Sequence, residues 1–284
     1  MFMSSANRKG PVCIVIASIL WSFGGICIKF IPWGAMSIIG LRAFLAVGVF
    51  IFYRRSVKID FTFGNIVTAL CLSATTILFV FANKLTSAAA AILLQFSAPI
   101  FIILIQLIFY KKKPKLSETI AVSVTIFGML LFFADRLDGG ALLGNILAII
   151  SGLTFAGVFV GNQKPDTNPE QALFMGFIIN SVVGLPFVFF QVTAEPVAWG
   201  AVIFLGIVQV GFAYVFFSIG IKNTPALLAC LITAMEPILN PVWVALATGE
   251  TPGVFAAVGG IVIVITVIGY NIWVEKMQKK VDKI

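Results

Sequence analysis

The chain has 284 residues, 60% of them hydrophobic and only 11% charged, with a mean hydropathy of +1.09. Soluble domains carry about 25% charged residues, so this composition describes an integral membrane protein. The sequence contains no histidine, which excludes His-based metal sites, Ser-His catalysis and His proton relays; the net charge of +8 must be judged by where its cations fall.

Arg8 and Lys9 precede a long apolar run that lacks a small-residue cleavage pattern, so the start does not read as a cleavable signal. Ten segments are apolar over close to the ~20 residues that a bilayer-spanning helix needs. The sequence predicts them at 12–31, 34–53, 64–83, 87–110, 116–134, 142–161, 171–191, 197–220, 225–247 and 253–274. Pro32, Pro114, Pro165, Pro169, Pro196 and Pro252 punctuate the short connections, so consecutive helices are expected to run antiparallel. No soluble domain fits between them. The cysteines (Cys13, Cys27, Cys71, Cys230) fall inside apolar spans and read as small hydrophobes, not as a disulfide framework.

Placing the N-terminus in the cytoplasm puts Arg8, Lys9, Arg54, Arg55, Lys58, Lys111, Lys112, Lys113, Lys115, Lys164, Lys222, Lys276, Lys279, Lys280 and Lys283 on the inner side. The outer loops then hold only Lys84 and Arg136 as cations, beside Asp135, Asp138, Glu195 and Glu250. That asymmetry predicts cytoplasmic termini, and it makes the basic residues topology determinants instead of a nucleic-acid surface.

Sliding the sequence by 138 positions places Phe79 on Phe217, Lys84 on Lys222, Thr86 on Thr224, Ala88 on Ala226 and Ala91 on Ala229. The same shift places Pro99 on Pro237, Ile100 on Ile238 and Pro114 on Pro252. A weaker match near 133 aligns Ser18, Leu20 and Gly24 with Ser151, Leu153 and Gly157. Two halves are therefore expected, residues 1–136 and 137–284, of five helices each. Because five is odd, the second half enters the membrane inverted, an arrangement that gives secondary transporters two gates around one midplane site.

The stretch 225–248, PALLACLITAMEPILNPVWVALAT, carries Glu236 followed by Pro237 and, four residues later, Pro241. A charge at mid-span costs roughly 3 kcal/mol or more, and a proline inside a helix about as much again. The expected product is a kinked helix with a polar face, on which Thr233, Glu236 and Asn240 share one side. The repeat partner of Thr233 is Gln95, ahead of Pro99, so both kinked helices offer a polar group at one depth.

Several stretches carry a family resemblance: LWSFGGICIKF (20–30), LRAFLA (41–46), KLTSAAAAILLQFSAPIF (84–101) and FAYVFFSIGIKNTPALLACLITAMEPILNPVW (212–243). In this order the chain resembles ten-helix members of the drug/metabolite transporter superfamily with two EamA-type halves. One departure is the sixth helix, TFAGVFVGNQK (154–164), which lacks the aromatic-polar start usual there. The resemblance implies transport of a small solute, usually export of metabolites or drugs across the cell membrane, by alternating access and without a metal or cofactor.

Lys29, Arg42 and Glu236 are the ionisable residues inside spans. Arg42 lies roughly 12 Å into its helix at ~1.5 Å per residue, where it either binds a substrate carboxylate or holds Glu236, or else sets packing. Lys29, near a span end, reads as a snorkelling cation or a gate residue. Desolvation favours a neutral Glu236, which could exchange protons as a coupling ion; a neighbouring Arg favours a fixed carboxylate. Trp21, Ser22, Asn83, Gln209 and Tyr214 complete the candidate lining, and Trp33, Trp199 and Trp273 read as interfacial anchors.

A membrane enzyme is the rival class. Its only support is the acidic pair Asp135 and Asp138, which reads as a solvated turn before Gly139 and Gly140. One or two cations and one anion suit an amino-acid-like zwitterion or small organic anion. A multidrug or toxic-compound efflux carrier is the alternative. Fused halves require no partner subunit.

Overall fold

The computed structural model describes residues 9–24, 27, 31–86, 88–134, 142–248 and 253–281. Lys29, Asp135, Arg136, Asp138 and Glu250 therefore lie outside the described residues, as do the side chains of Asn83, Lys84, Asn240 and Pro241. All regular structure in the described residues is helical. Lipid leaves backbone groups no water to bond, so an apolar chain satisfies them within each helix.

In chain order the helices are α1 (Lys9–Ser22), α2 (Ala35–Arg54), α3 (Phe63–Leu85), α4 (Ala88–Gln95), α5 (Ala98–Tyr110), α6 (Leu116–Phe133) and α7 (Leu142–Gly161). They continue as α8 (Pro169–Gln191), α9 (Pro196–Phe204), a π-helical stretch (Leu205–Phe212), α10 (Ala213–Lys222), α11 (Ala226–Thr233), α12 (Met235–Thr248) and α13 (Val254–Val281). Among the described residues, seven helical stretches are long and apolar enough to cross a membrane, and three shorter apolar helices (Lys9–Ser22, Leu116–Phe132, Ala226–Leu239) accompany them.

Local sequence sets the helix ends. The Thr62 hydroxyl accepts from the Asn65 amide at 3.2 Å to start α3, and Asn168 caps α8 through its side-chain oxygen, with Pro169 at the first helical position. Arg55 and Lys111 close α2 and α5 in the left-handed conformation, at φ 49° and 52°.

Two helices expected as single kinked spans are broken instead. The first ends at Gln95 and resumes at Ala98; the second ends at Thr233 and resumes at Met235. Each break falls just N-terminal to a proline, Pro99 or Pro237, because the ring clashes with the carbonyl four residues earlier and provides no amide. Those carbonyls belong to Gln95 and Thr233, the last residues of α4 and α11. Tighter three-residue bonds, Ser97 N to Leu94 O and Ala234 N to Leu231 O, both at 3.1 Å, close the ends. The backbone of α12 then runs on through Pro241.

Helices α1–α6 pack mainly against α7–α13. α2 packs along α8, α3 along α7 and α8, α1 along α10, α11 and α12, α4 and α5 against α7, and α6 along α13. Gly40 and Gly184 bring α2 and α8 so close that a Cβ on either would run into the backbone of the other. At one end of the bundle, Asp60 and Gln171 exchange bonds at 2.6 and 2.7 Å, the Gly64 amide donates to Asp166 at 2.9 Å, and Gln163 donates to the carbonyls of Ile221 and Thr224. At the other end, Ser37 donates to Gln191 at 2.7 Å and the Trp33 indole donates to Thr193 at 2.9 Å.

Trp33 corrects one expectation. It is not an interfacial anchor but is only 6% exposed, packed edge-on against Trp199 with ring centroids 5.2 Å apart. Its indole N–H finds a protein partner, so the ring can be buried. All four cysteines are free.

Candidate functional site

Each helix break has a polar residue at its edge, Gln95 at the end of α4 and Thr233 at the end of α11, with Glu236 just beyond the second. Glu236 stands in the first turn of α12, where the exposed amides of a helix start favour a negative charge. Pro237 follows it in that same turn, where a missing amide costs nothing extra. Arg42 projects from the middle of α2, and Tyr214 from the start of α10. Arg42, Tyr214 and Glu236 lie within electrostatic range of one another, and each keeps some accessible surface. Among the described residues, neither a hydrogen bond nor an ion pair joins Arg42 to Glu236.

An aromatic layer lies beside the charges. The Trp21 ring is 4.7 Å from Tyr214 and 5.2 Å from Phe217, and Phe177 meets Tyr214 edge-on at 5.0 Å. Trp21 is 4% exposed and Gln209 7%, so both belong to the packed wall and not to an open lining. The Gln209 amide donates to the Trp21 carbonyl at 3.1 Å, next to Gly24, whose missing side chain makes room for it. The π-helical stretch that carries Gln209 breaks the regular spacing of its span, as π turns often do near functional sites. Nothing in the hydrophobic periodicity announced it.

The remaining candidates separate. Thr233 is fully buried and its hydroxyl donates to its own helix, to the Cys230 carbonyl at 2.7 Å. Gln95 donates to Ser151 at 2.7 Å, and Ser151 in turn donates to the Thr75 carbonyl at 3.1 Å, so the α4 break is tied across to α7 and α3. The backbone of Asn240 continues α12 one turn beyond Glu236.

Trp243 is a residue that sequence reasoning passed over. Its indole donates to Ser22 at 2.7 Å and its ring stacks on Phe23 at 4.8 Å with an interplanar angle of 17°. Phe23 also meets Phe204 edge-on at 6.4 Å. The signal was present: Trp243 stands seven residues from Glu236, two turns along the same helix face. Ser22 was among the candidate lining, and here it joins α1 to α12.

The helical membrane fold, with a charge on a broken helix and another on a continuous one, fits a membrane transporter. The EamA-like transporter family model matches the chain twice, over residues 8–134 and 142–272. The chain belongs to that family, within the drug/metabolite transporter superfamily. It is similar to an "Uncharacterized transporter" of Archaeoglobus fulgidus, 24% identical over 260 residues that cover 90% of this chain and 94% of the relative. A second A. fulgidus protein of the same description is 25% identical over 69% of this chain and 72% of its own length. The "Uncharacterized transporter YwfM" of Bacillus subtilis is 27% identical over 60% of each chain. A solved structure, titled "Crystal structure of protein", shares the fold with a TM-score of 0.79 at 17% identity, over 96% of this chain and 99% of that one.

Proposed function

We propose that this protein is a secondary transporter that exports a small amino-acid-like zwitterion or organic anion across the cell membrane by alternating access. The observation that carries the reading is the separated pair Arg42 and Glu236. Opposite charges inside a low-dielectric bundle are costly unless paired and hydrogen-bonded. A substrate carboxylate on Arg42 and a substrate ammonium on Glu236 would satisfy both at once. The two charges differ in their supports: Arg42 rides on α2, held to α8 at Gly40 and Gly184, whereas Glu236 rides just past a helix break. A ligand bridging them would draw α12 toward the α2–α8 frame, which couples binding to a gate.

In this reading the ten apolar segments all cross the bilayer, with both termini cytoplasmic. Residues 1–136 and 137–284 form two five-helix repeats of opposite orientation. Swapped contacts support the repeat. Gly10 packs on Thr224 as Gly144 packs on Thr86, and Gly24 packs on Gln209 as Gly157 packs on Cys71. Each member has its counterpart in the other half at the 133–138 spacing of the sequence match.

The test is counterflow in proteoliposomes loaded with a mixed amino-acid pool, each labelled amino acid being offered in turn. Saturable uptake of a subset, lost in Arg42→Gln and Glu236→Gln, is the expected result. Uptake of lipophilic cations or sugars in place of every amino acid would overturn the substrate class while leaving a carrier.

A further inference from the structure

α12 has a second face, turned away from Glu236. Ile238 and Val242 on that face, with Phe132 of α6 and the first half of α13, line an apolar groove of about 410 Å³. Its floor is Gly260, where an added Cβ would stand 3.3 Å from Ile238 and 3.7 Å from the Phe132 ring. Along α13 the lining runs from Ala256 to Ile265. That is roughly 14 Å of helix at 1.5 Å per residue, about half of the ~30 Å hydrocarbon thickness of a bilayer.

We infer that this groove is a binding site for one phospholipid acyl chain. The chemistry of the walls selects that ligand: among the described residues the lining is almost wholly apolar and offers no partner for a headgroup, an ion or a polar solute. The surroundings supply it. Ile261 and Ile265 at the rim are exposed on a helix long and apolar enough to cross the membrane, so the groove opens to the hydrocarbon and not to water. The small residues explain why the space exists. Ala256, Ala257 and Gly260 would let α12 close on α13, yet α6 already holds α13 through Gly128 and Gly259, whose backbones approach too closely to admit a Cβ, and Phe132 props the floor. An unfilled groove would forfeit dispersion contacts along its whole length, and a single extended chain restores them. The bound chain backs α12 on the side opposite Glu236. The inference rests on the membrane embedding alone and is independent of the substrate reading.

The test reconstitutes the full chain in phosphatidylcholine vesicles containing a phosphatidylcholine with a diazirine on its acyl chain, irradiates them, and maps the labelled residues by mass spectrometry. Label is expected to concentrate on 238–242 and 256–265 and to be lost there in Gly260→Leu, while label on the exposed Phe189 and Phe190 persists. Ala257→Trp, which fills the groove from its rim, provides the same reading should Gly260→Leu fail to fold. Label spread evenly over the exposed helices, label in the groove unchanged by both variants, or cross-linking of two protein copies through the groove would each overturn the assignment.

Discussion

Arg42 and Glu236 lie within electrostatic range across the interior of the bundle, with no ion pair between them among the described residues. Neutralising either should remove one charge-assisted contact to substrate, worth about 1.5–3 kcal/mol. Arg42→Gln and Glu236→Gln are therefore each expected to weaken the half-saturating concentration in counterflow by roughly 10- to 150-fold. Variants that fold and transport as wild type would return both charges to a structural role.

If Glu236 is also the coupling group, its charge must change during the cycle. Glu236→Gln is then expected to abolish uptake driven by a proton gradient and to flatten the dependence of transport between about pH 5.5 and 8. An unchanged pH profile in this variant would remove the proton from the mechanism.

The breaks before Pro99 and Pro237 should cost stability and serve movement. Pro237→Ala supplies an amide to the Thr233 carbonyl and removes the ring clash, so α11 and α12 can join. A higher melting temperature in detergent together with a slower counterflow rate is the expected outcome. Pro99→Ala should show the smaller transport defect, because Gln95 and Ser151 still hold that break to α7.

Gly40 and Gly184 admit no side chain between α2 and α8. Gly40→Ala and Gly184→Ala should each destabilise the protein by about 1–3 kcal/mol through overpacking, visible as a lower melting temperature. Gly48→Ala, where an added Cβ meets nothing within 4 Å, should leave the melting temperature level or raise it.

The bond from Trp243 to Ser22 joins α12 to α1 beside the stacked Phe23. Ser22→Ala leaves the indole N–H without that acceptor, a cost of about 1–3 kcal/mol. Trp243→Phe keeps an aromatic ring on Phe23. A double-mutant cycle on unfolding should show the pair losing less than the sum of its single changes.

Much of the molecule was legible in the residues themselves. Membrane embedding, helices at the predicted segments, the disturbance ahead of Pro99 and Pro237 (expected as kinks, found as breaks) and the family all follow from apolar run length, proline chemistry and local motifs, which act within a few residues of chain. Partnership was decided only in three dimensions. Trp33 sits at a span end like an anchor, yet Trp199 of α9 and Thr193 of the loop before it pack on it. Thr233 shares a spacing with Glu236, but its hydroxyl bonds back onto the Cys230 carbonyl of its own helix. The π-helical stretch around Gln209 has no periodic signature, because an apolar span buried on several sides can shift its turns without exposing a polar residue. The reason is physical: hydrophobicity and backbone chemistry are properties of a segment, whereas burial, close glycine contacts and the distance from Arg42 to Glu236 belong to the packing of segments far apart in the chain.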